Sequence, residues 1–315
     1  MSEYHTTAAN RFDTFNIYST SYKKIGGHEI EVNVIVPKNI KPGKHPLIVK
    51  FHGGSLVTGT ALFPDWFAAF FVPFIHRNCA ITIMPNYRLL PEHSGKDILE
   101  DLSDFWTWFQ TSFPTYLSSK DPTISPDFNH LLVTGESAGG YLVFQSALTT
   151  PKNFIKACIA QYPMTNTPCL SKGSIPTIFG PLPPPSLIDD HLSTITPGTT
   201  ITSAIPPTRI PLSFALFAHG RYEEFFGKGK ELWPITAVEG AAFFPPSFII
   251  HGTEDEAVSV EDSKAFVEKV ESVVEGAEMR LATRPGNHGF DVQLREEDEG
   301  WLKEGLAWVE VAWLA

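Results

Sequence analysis

The sequence predicts an α/β fold, a mostly parallel central sheet with helices on both faces. Three observations carry that expectation. Short apolar runs rich in β-formers, such as Leu47–Phe51, Ala80–Met84 and Leu131–Thr134, alternate with longer segments whose apolar residues recur at helical spacing. Gly135-Glu136-Ser137-Ala138-Gly139 falls between one such run and a helical segment. His52-Gly53-Gly54-Ser55 closes another run. The 315 residues suit one large α/β domain with a sizeable core.

Residues 1–22 are polar and irregular, and are expected to contribute an N-terminal segment to a cap over the site. Residues 23–38 hold two β-rich runs around Gly26-Gly27, which predicts an antiparallel hairpin at the sheet edge. Strands follow near 47–52, 80–85, 131–135, 157–162, 247–252 and 278–282, and helices near 64–76, 97–113, 138–149, 259–275 and 294–313. In the second helix Ile98, Leu99, Leu102, Phe105, Trp106 and Phe109 form one apolar stripe, the mark of a core-facing helix. Trp301, Leu302, Leu306, Val309 and Trp313 make a similar stripe on the last. Residues 164–245 interrupt the alternation, with a proline cluster at Pro181 and Pro183–Pro185, a second at Pro206, Pro207 and Pro211, and apolar runs at Ile210–Ala218 and Phe225-Phe226. Such apolar content predicts a packed insertion between the two parts of the core, 23–163 and 246–315.

Strand, Gly-x-Ser-x-Gly, helix is the context of a nucleophile elbow, in which small residues permit a sharp turn and the serine hydroxyl stands exposed at its tip. The helix from Ala138 aims its N-terminus at charge developing there. A serine that attacks a carbonyl needs backbone N–H groups for the resulting oxyanion. Gly53 and Gly54 at the end of a strand can present them, and the N–H of Ala138, the residue after the nucleophile, supplies a further donor.

With these motifs and Asn86-Tyr87-Arg88-Leu89-Leu90-Pro91-Glu92, the chain resembles the hormone-sensitive-lipase-like carboxylesterase branch of the α/β-hydrolase fold, over roughly residues 25 to 315. The family usually has a third glycine where this chain has Ser55. The resemblance implies a Ser–acid–His order along the chain. Of the histidines beyond Ser137, His288 in Gly286-Asn287-His288-Gly289-Phe290 follows an expected strand and matches the family's histidine motif; His191 and His219 lie in the insertion and His251 ends a strand. Glu254, Asp255 and Glu256 compete for the acid, and Asp255 falls where the family places its aspartate. The resemblance also implies that 164–245 is a lid and that the Asn86–Glu92 segment braces the oxyanion loop, with Arg88 and Glu92 expected to pair with each other.

The net charge of −11, without a basic stripe, argues against nucleic acid as a partner. Cys79, Cys158 and Cys169 have no metal-ligand spacing and read as buried thiols, so no metal or cofactor is expected. The chain shows neither a secretory signal nor an apolar run of membrane-spanning length, which predicts a cytoplasmic protein without stable membrane association. The expected activity is hydrolysis of a small-molecule ester or lactone, with short or medium acyl or aryl groups, by Ser137, Asp255 and His288. The same triad would also serve an acyltransferase, cyclase or lyase on a secondary metabolite; a non-enzymatic ligand receptor is a further alternative, which loss of the catalytic histidine would mark, and His288 is present.

Overall fold

The computed structural model describes residues 4, 6–166, 180–206 and 208–315. Its strands are β1 (Phe15–Ile25), β2 (His28–Pro37), β3 (Gly43–Phe51), β4 (Ile81–Pro85), β5 (Ile124–Glu136), β6 (Ala157–Gln161), β7 (Ser247–Gly252) and β8 (Met279–Arg284). They form one sheet in the order β1-β2-β4-β3-β5-β6-β7-β8. β1 with β2 and β2 with β4 are antiparallel; the remaining neighbours are parallel. Cys169 and Pro207 lie outside the described residues.

The central strands read as unbroken apolar runs because both faces are covered. Leu47, Val49, Leu131 and Val133 enter one buried cluster, while the intervening Ile48 and Leu132 enter the other. The helices covering them include α1 (Phe71–Arg77), α2 (Gly95–Thr111), α3 (Phe113–Lys120) and α4 (Ala138–Thr149). The insertion carries α5 (Ser186–Thr194), α6 (Ile210–Ala218), α7 (Tyr222–Phe226) and α8 (Pro234–Ala237), and α9 (Val260–Val273) and α10 (Gly300–Trp313) complete the core. None of the helices among the described residues is long and apolar enough to cross a membrane.

The irregular backbone expected for residues 1–22 is corrected. From Phe15 onward the chain is β1, paired to β2 along its length, and no described residue before Ile25 lines the cavity beside Ser137. The polarity that reads as irregular is that of an edge strand, paired on one side only and half solvated. The hairpin turn at Gly26-Gly27 is as expected. The segment 64–76 divides into a short 3₁₀ turn at Pro64–Trp66 and α1, and α3, which begins at a proline-bearing first turn, has no counterpart in the expected elements. Cys158 is buried, but Cys79 is exposed, because it sits in the turn before β4 rather than in the strand.

The insertion packs, as its apolar content requires. Leu212, Phe214, Ala215 and Leu216 of α6 are buried. Gly59 and Ala204 exchange two backbone hydrogen bonds of 2.8 Å, and the Leu89 N–H donates to the Ile201 carbonyl at 2.9 Å. Arg88 and Glu92 do not pair with each other, since the chain between them is irregular and their side chains diverge. Arg88 reaches Asp97, Glu100 and the fully buried Asp101, while Glu92 binds Arg209 at 2.7 Å and His191 at 3.0 Å.

Candidate active site

β5 ends at Glu136 and α4 begins at Ala138, so Ser137 alone makes the corner, with φ 56° and ψ −117°. A side-chain-bearing residue held there costs about 1–3 kcal/mol, which the surroundings must offset. Its N–H donates to the Gln161 carbonyl at 2.8 Å, and its own carbonyl accepts from Met164 at 3.1 Å and Tyr141 at 3.2 Å. The flanking glycines are there for space. A Cβ on Gly139 would lie 2.2 Å from the Phe51 oxygen, and one on Gly135 would lie 2.5 Å from the Gly139 carbonyl carbon.

Ser137 faces a cavity of about 570 Å³, which it lines together with His288, Gly53, Gly54 and Ser55. Aromatic and aliphatic walls come from Trp66, Tyr162, Met164 and Val292 of the core and from Ile210, Phe214 and Phe217 of α6.

His288 lies in the loop after β8, and its Nδ1 is 2.7 Å from Oδ2 of Asp255. The Asp255 side chain has no exposed surface. Burial alone would raise its pKa, but hydrogen bonds from His251 and His288, the nearby imidazole and the Val258 N–H together hold it well below the usual carboxylate range. An ionised carboxylate accepts only, so Nδ1 of His288 carries the proton and Nε2 is left as the acceptor. The other oxygen of Asp255 accepts from the N–H groups of Ala257 at 2.8 Å and Val258 at 2.9 Å. Glu254 and Glu256 are exposed, and the Glu254 carboxylate instead takes the N–H of Gly286 and the hydroxyl of Thr253. Asn287 joins the two loops, its Oδ1 accepting from His288 N at 2.7 Å and Glu256 N at 3.0 Å. His251, fully buried, braces the acid loop through the Val258 carbonyl at 2.9 Å and Ser263 at 2.8 Å.

The oxyanion loop differs from expectation at one residue. The Gly53 N–H donates to Oε1 of Glu136 at 3.0 Å, so it is engaged within the protein. Gly54 and Ser55 are disposed otherwise. The Gly53 carbonyl is bound by Nδ1 of His52 at 2.8 Å, and the Gly54 carbonyl by Val57 N at 2.9 Å and Thr58 N at 3.0 Å. In a trans peptide the N–H points opposite to the C=O, so these bonds turn the N–H groups of Gly54 and Ser55 away from the loop's own anchors. Gly54 adopts φ 103°, and a Cβ there would meet the Thr58 oxygen at 2.1 Å. Burial, aided by the charge of Lys50, pushes His52 down to about 3, which keeps it neutral. Its ring stacks on Tyr87 at 4.4 Å, and the Tyr87 hydroxyl donates to the His52 carbonyl at 2.6 Å. Asn86 accepts from the Ala61 N–H at 2.8 Å. The Asn86–Glu92 segment thus contacts the loop that it was expected to brace.

Sequence reasoning passed over Lys50 and the side chain of Glu136, which form a buried pair at 2.6 Å beneath Gly53. A signal was present: each is a lone charge at the end of an otherwise apolar strand, and opposite charges so placed require a partner.

Comparison with known proteins follows the same line. The model of the alpha/beta hydrolase fold family matches residues 48–177. A probable carboxylesterase, clz11 of Cochliobolus lunatus, is 32% identical over 188 residues, covering 57% of this chain and 86% of that protein. The chain belongs to the α/β-hydrolase fold family. Probable carboxylesterase M8 of Phoma sp. is 27% identical over 316 residues, covering 96% of this chain and 98% of the relative. Among solved structures, a fungal esterase from Rhizomucor miehei superposes with a TM-score of 0.65 at 20% identity, covering 97% of this chain and 85% of that one. In this α/β-hydrolase the sheet order and the Ser137 corner are parts of one architecture.

Proposed function

We propose that this chain is a serine hydrolase of carboxylic esters in which Ser137, His288 and Asp255 act as nucleophile, base and orienting acid. The observation that carries the reading is the strained Ser137 corner opening onto the same cavity as an imidazole whose Nδ1 is held by a buried carboxylate. In the first step Nε2 of His288 takes the proton of the Ser137 hydroxyl as Oγ attacks the ester carbonyl, and the π electrons move onto the carbonyl oxygen. That oxyanion is received by the N–H groups of Gly54, Ser55 and Ala138. Collapse expels the alkoxide, which takes the proton from His288 and leaves as the alcohol. Water then repeats the sequence on the acyl-enzyme and restores Ser137.

In this reading residues 164–245 act as a lid, with α6 forming the roof, and residues 23–163 with 246–315 supply the catalytic core. The described residues that line the cavity include no lysine or arginine, and its walls are aromatic and aliphatic. The volume of about 570 Å³ suits a small organic ester. These features favour neutral acyl or aryl groups, or a lactone, over anions.

The test is direct. Wild-type protein should hydrolyse p-nitrophenyl butyrate and take up a fluorophosphonate label, and Ser137→Ala should do neither. Labelling of Ser137→Ala at the wild-type rate would refute the assignment.

A further inference from the structure

The oxyanion loop turns through two successive residues that carry side chains in left-handed backbone, Ser55 at φ 58° and Leu56 at φ 60°. Left-handed backbone disfavours such residues by roughly 1–2 kcal/mol each, so the loop needs restraint from outside. Three successive carbonyls supply the attachment points. The Gly53 and Gly54 carbonyls are held by His52, Val57 and Thr58, all close in sequence. The Ser55 carbonyl is held by the insertion: the Tyr222 hydroxyl of α7 donates to it at 2.9 Å. Tyr222 is buried, and burial raises its phenol well above the ordinary value, so it remains a donor at any working pH. Its ring stacks on Phe217 at 4.3 Å and on Phe226 at 5.5 Å, and Phe217 itself lines the cavity.

We propose that Tyr222 is a positioning residue that ties the insertion to the oxyanion loop, holding the peptide plane that follows Ser55 and so restraining the turn that carries the Ser55 N–H. The inference rests on the esterase reading above and deepens it. A substrate that seats well against Phe217 presses on the ring stacked upon Tyr222, and Tyr222 fixes the peptide plane next to the oxyanion donors. Fit in the acyl or alcohol pocket then reports on the competence of the hole. The cap acts on turnover and not only on affinity.

The test is Tyr222→Phe, which removes one hydroxyl and leaves the ring stack. With p-nitrophenyl butyrate we expect kcat to fall about tenfold or more and KM to stay within about threefold, since the donors matter most when charge develops on the carbonyl oxygen. Affinity for an alkylboronic acid, whose oxygen occupies the oxyanion position once Ser137 adds to boron, should fall by the same factor. Adding Ser55→Gly to Tyr222→Phe should recover most of the loss, because glycine takes positive φ without restraint. A kcat within twofold of wild type overturns the inference. So does a loss that the boronate affinity does not share, or one that Ser55→Gly fails to relieve. A wild-type protein inert towards every ester would instead defeat the esterase reading itself, so the two failures are separable.

Discussion

Nδ1 of His288 lies 2.7 Å from Oδ2 of Asp255, and no part of that carboxylate's side chain reaches solvent. The other Asp255 oxygen is taken by two backbone N–H groups, so the carboxylate cannot rotate away from the imidazole without losing bonds on both sides. The orientation of the proposed base is therefore built into the turn after β7.

Asp255→Asn should lower kcat/KM for p-nitrophenyl butyrate by about 10⁴-fold, because an amide stabilises the wrong imidazole tautomer and cannot balance the imidazolium. Glu254→Gln and Glu256→Gln, both exposed, should stay within about threefold of wild type. Steady-state kinetics on the three variants decides it, and a loss at Glu254 comparable to that at Asp255 would reassign the acid.

The Lys50–Glu136 pair is buried, with 3% and 4% of the side chains exposed. Removing one partner strands the other charge, so Glu136→Met or Lys50→Met alone should cost about 3–5 kcal/mol of stability. The double replacement Lys50→Met with Glu136→Met should cost less than the two single changes combined. Urea unfolding of the single and double variants gives the coupling, and strict additivity would rule the pair out as a unit.

Asp291 offers a pH test of opposite sign to Asp255. It is fully buried, and burial pushes it up to about 6 against hydrogen bonds from Gln161 and Tyr162. A carboxyl raised in the fold binds more protons folded than unfolded between roughly pH 4 and pH 6, so its contribution is present below that window and is lost as pH rises through it. Unfolding free energies of wild type and Asp291→Asn should thus diverge in the variant's favour between pH 4 and pH 7, by on the order of 3 kcal/mol. A constant difference over that range would show that Asp291 is not raised. For Asp255, held low, the contribution is present above the ordinary carboxylate range and is lost as pH falls.

The fold was legible wherever a strand is buried on both faces. Leu131–Val133 and Ser247–Ile250 read as strands because parallel sheets demand continuous apolar runs. The part of β1 before Lys23 was not legible, since Ser19, Thr20 and Ser21 are what an edge strand and a loop both tolerate. In the candidate site, Ser137 and His288 were readable because local motifs carry them, whereas Asp255 was singled out from its two acidic neighbours by the resemblance. The engagement of Gly53 by Glu136 and the reach of Tyr222 to Ser55 were not, because each joins residues far apart in sequence, the first brought together by the pairing of β3 with β5 and the second by the packing of the insertion. Arg88 and Glu92 show the converse hazard: nearness in sequence suggested a pair, and an irregular backbone sent each to a different partner.

The last prediction concerns the acyl group. Among the described residues lining the cavity, Glu136 and His288 carry the readily ionised side chains, and no lysine or arginine stands ready to meet an anion. A carboxylate brought into this space would lose its hydration without gaining a partner, a cost of several kcal/mol. The hemisuccinate ester of p-nitrophenol should therefore be hydrolysed at least about tenfold less efficiently than the butyrate ester of similar length, with most of the difference in KM if the penalty falls on binding. Chain length sets the other bound. A cavity of about 570 Å³ admits acetyl and butyryl groups with room for the alcohol, whereas a sixteen-carbon chain must leave it or displace α6. Kinetics on acetate, butyrate and palmitate esters should show the first two well above the last. Preference for the palmitate ester in emulsion would mean that α6 swings aside and that the protein works as a lipase, and equal rates for hemisuccinate and butyrate would mean that a cation reaches the acyl group from elsewhere in the chain.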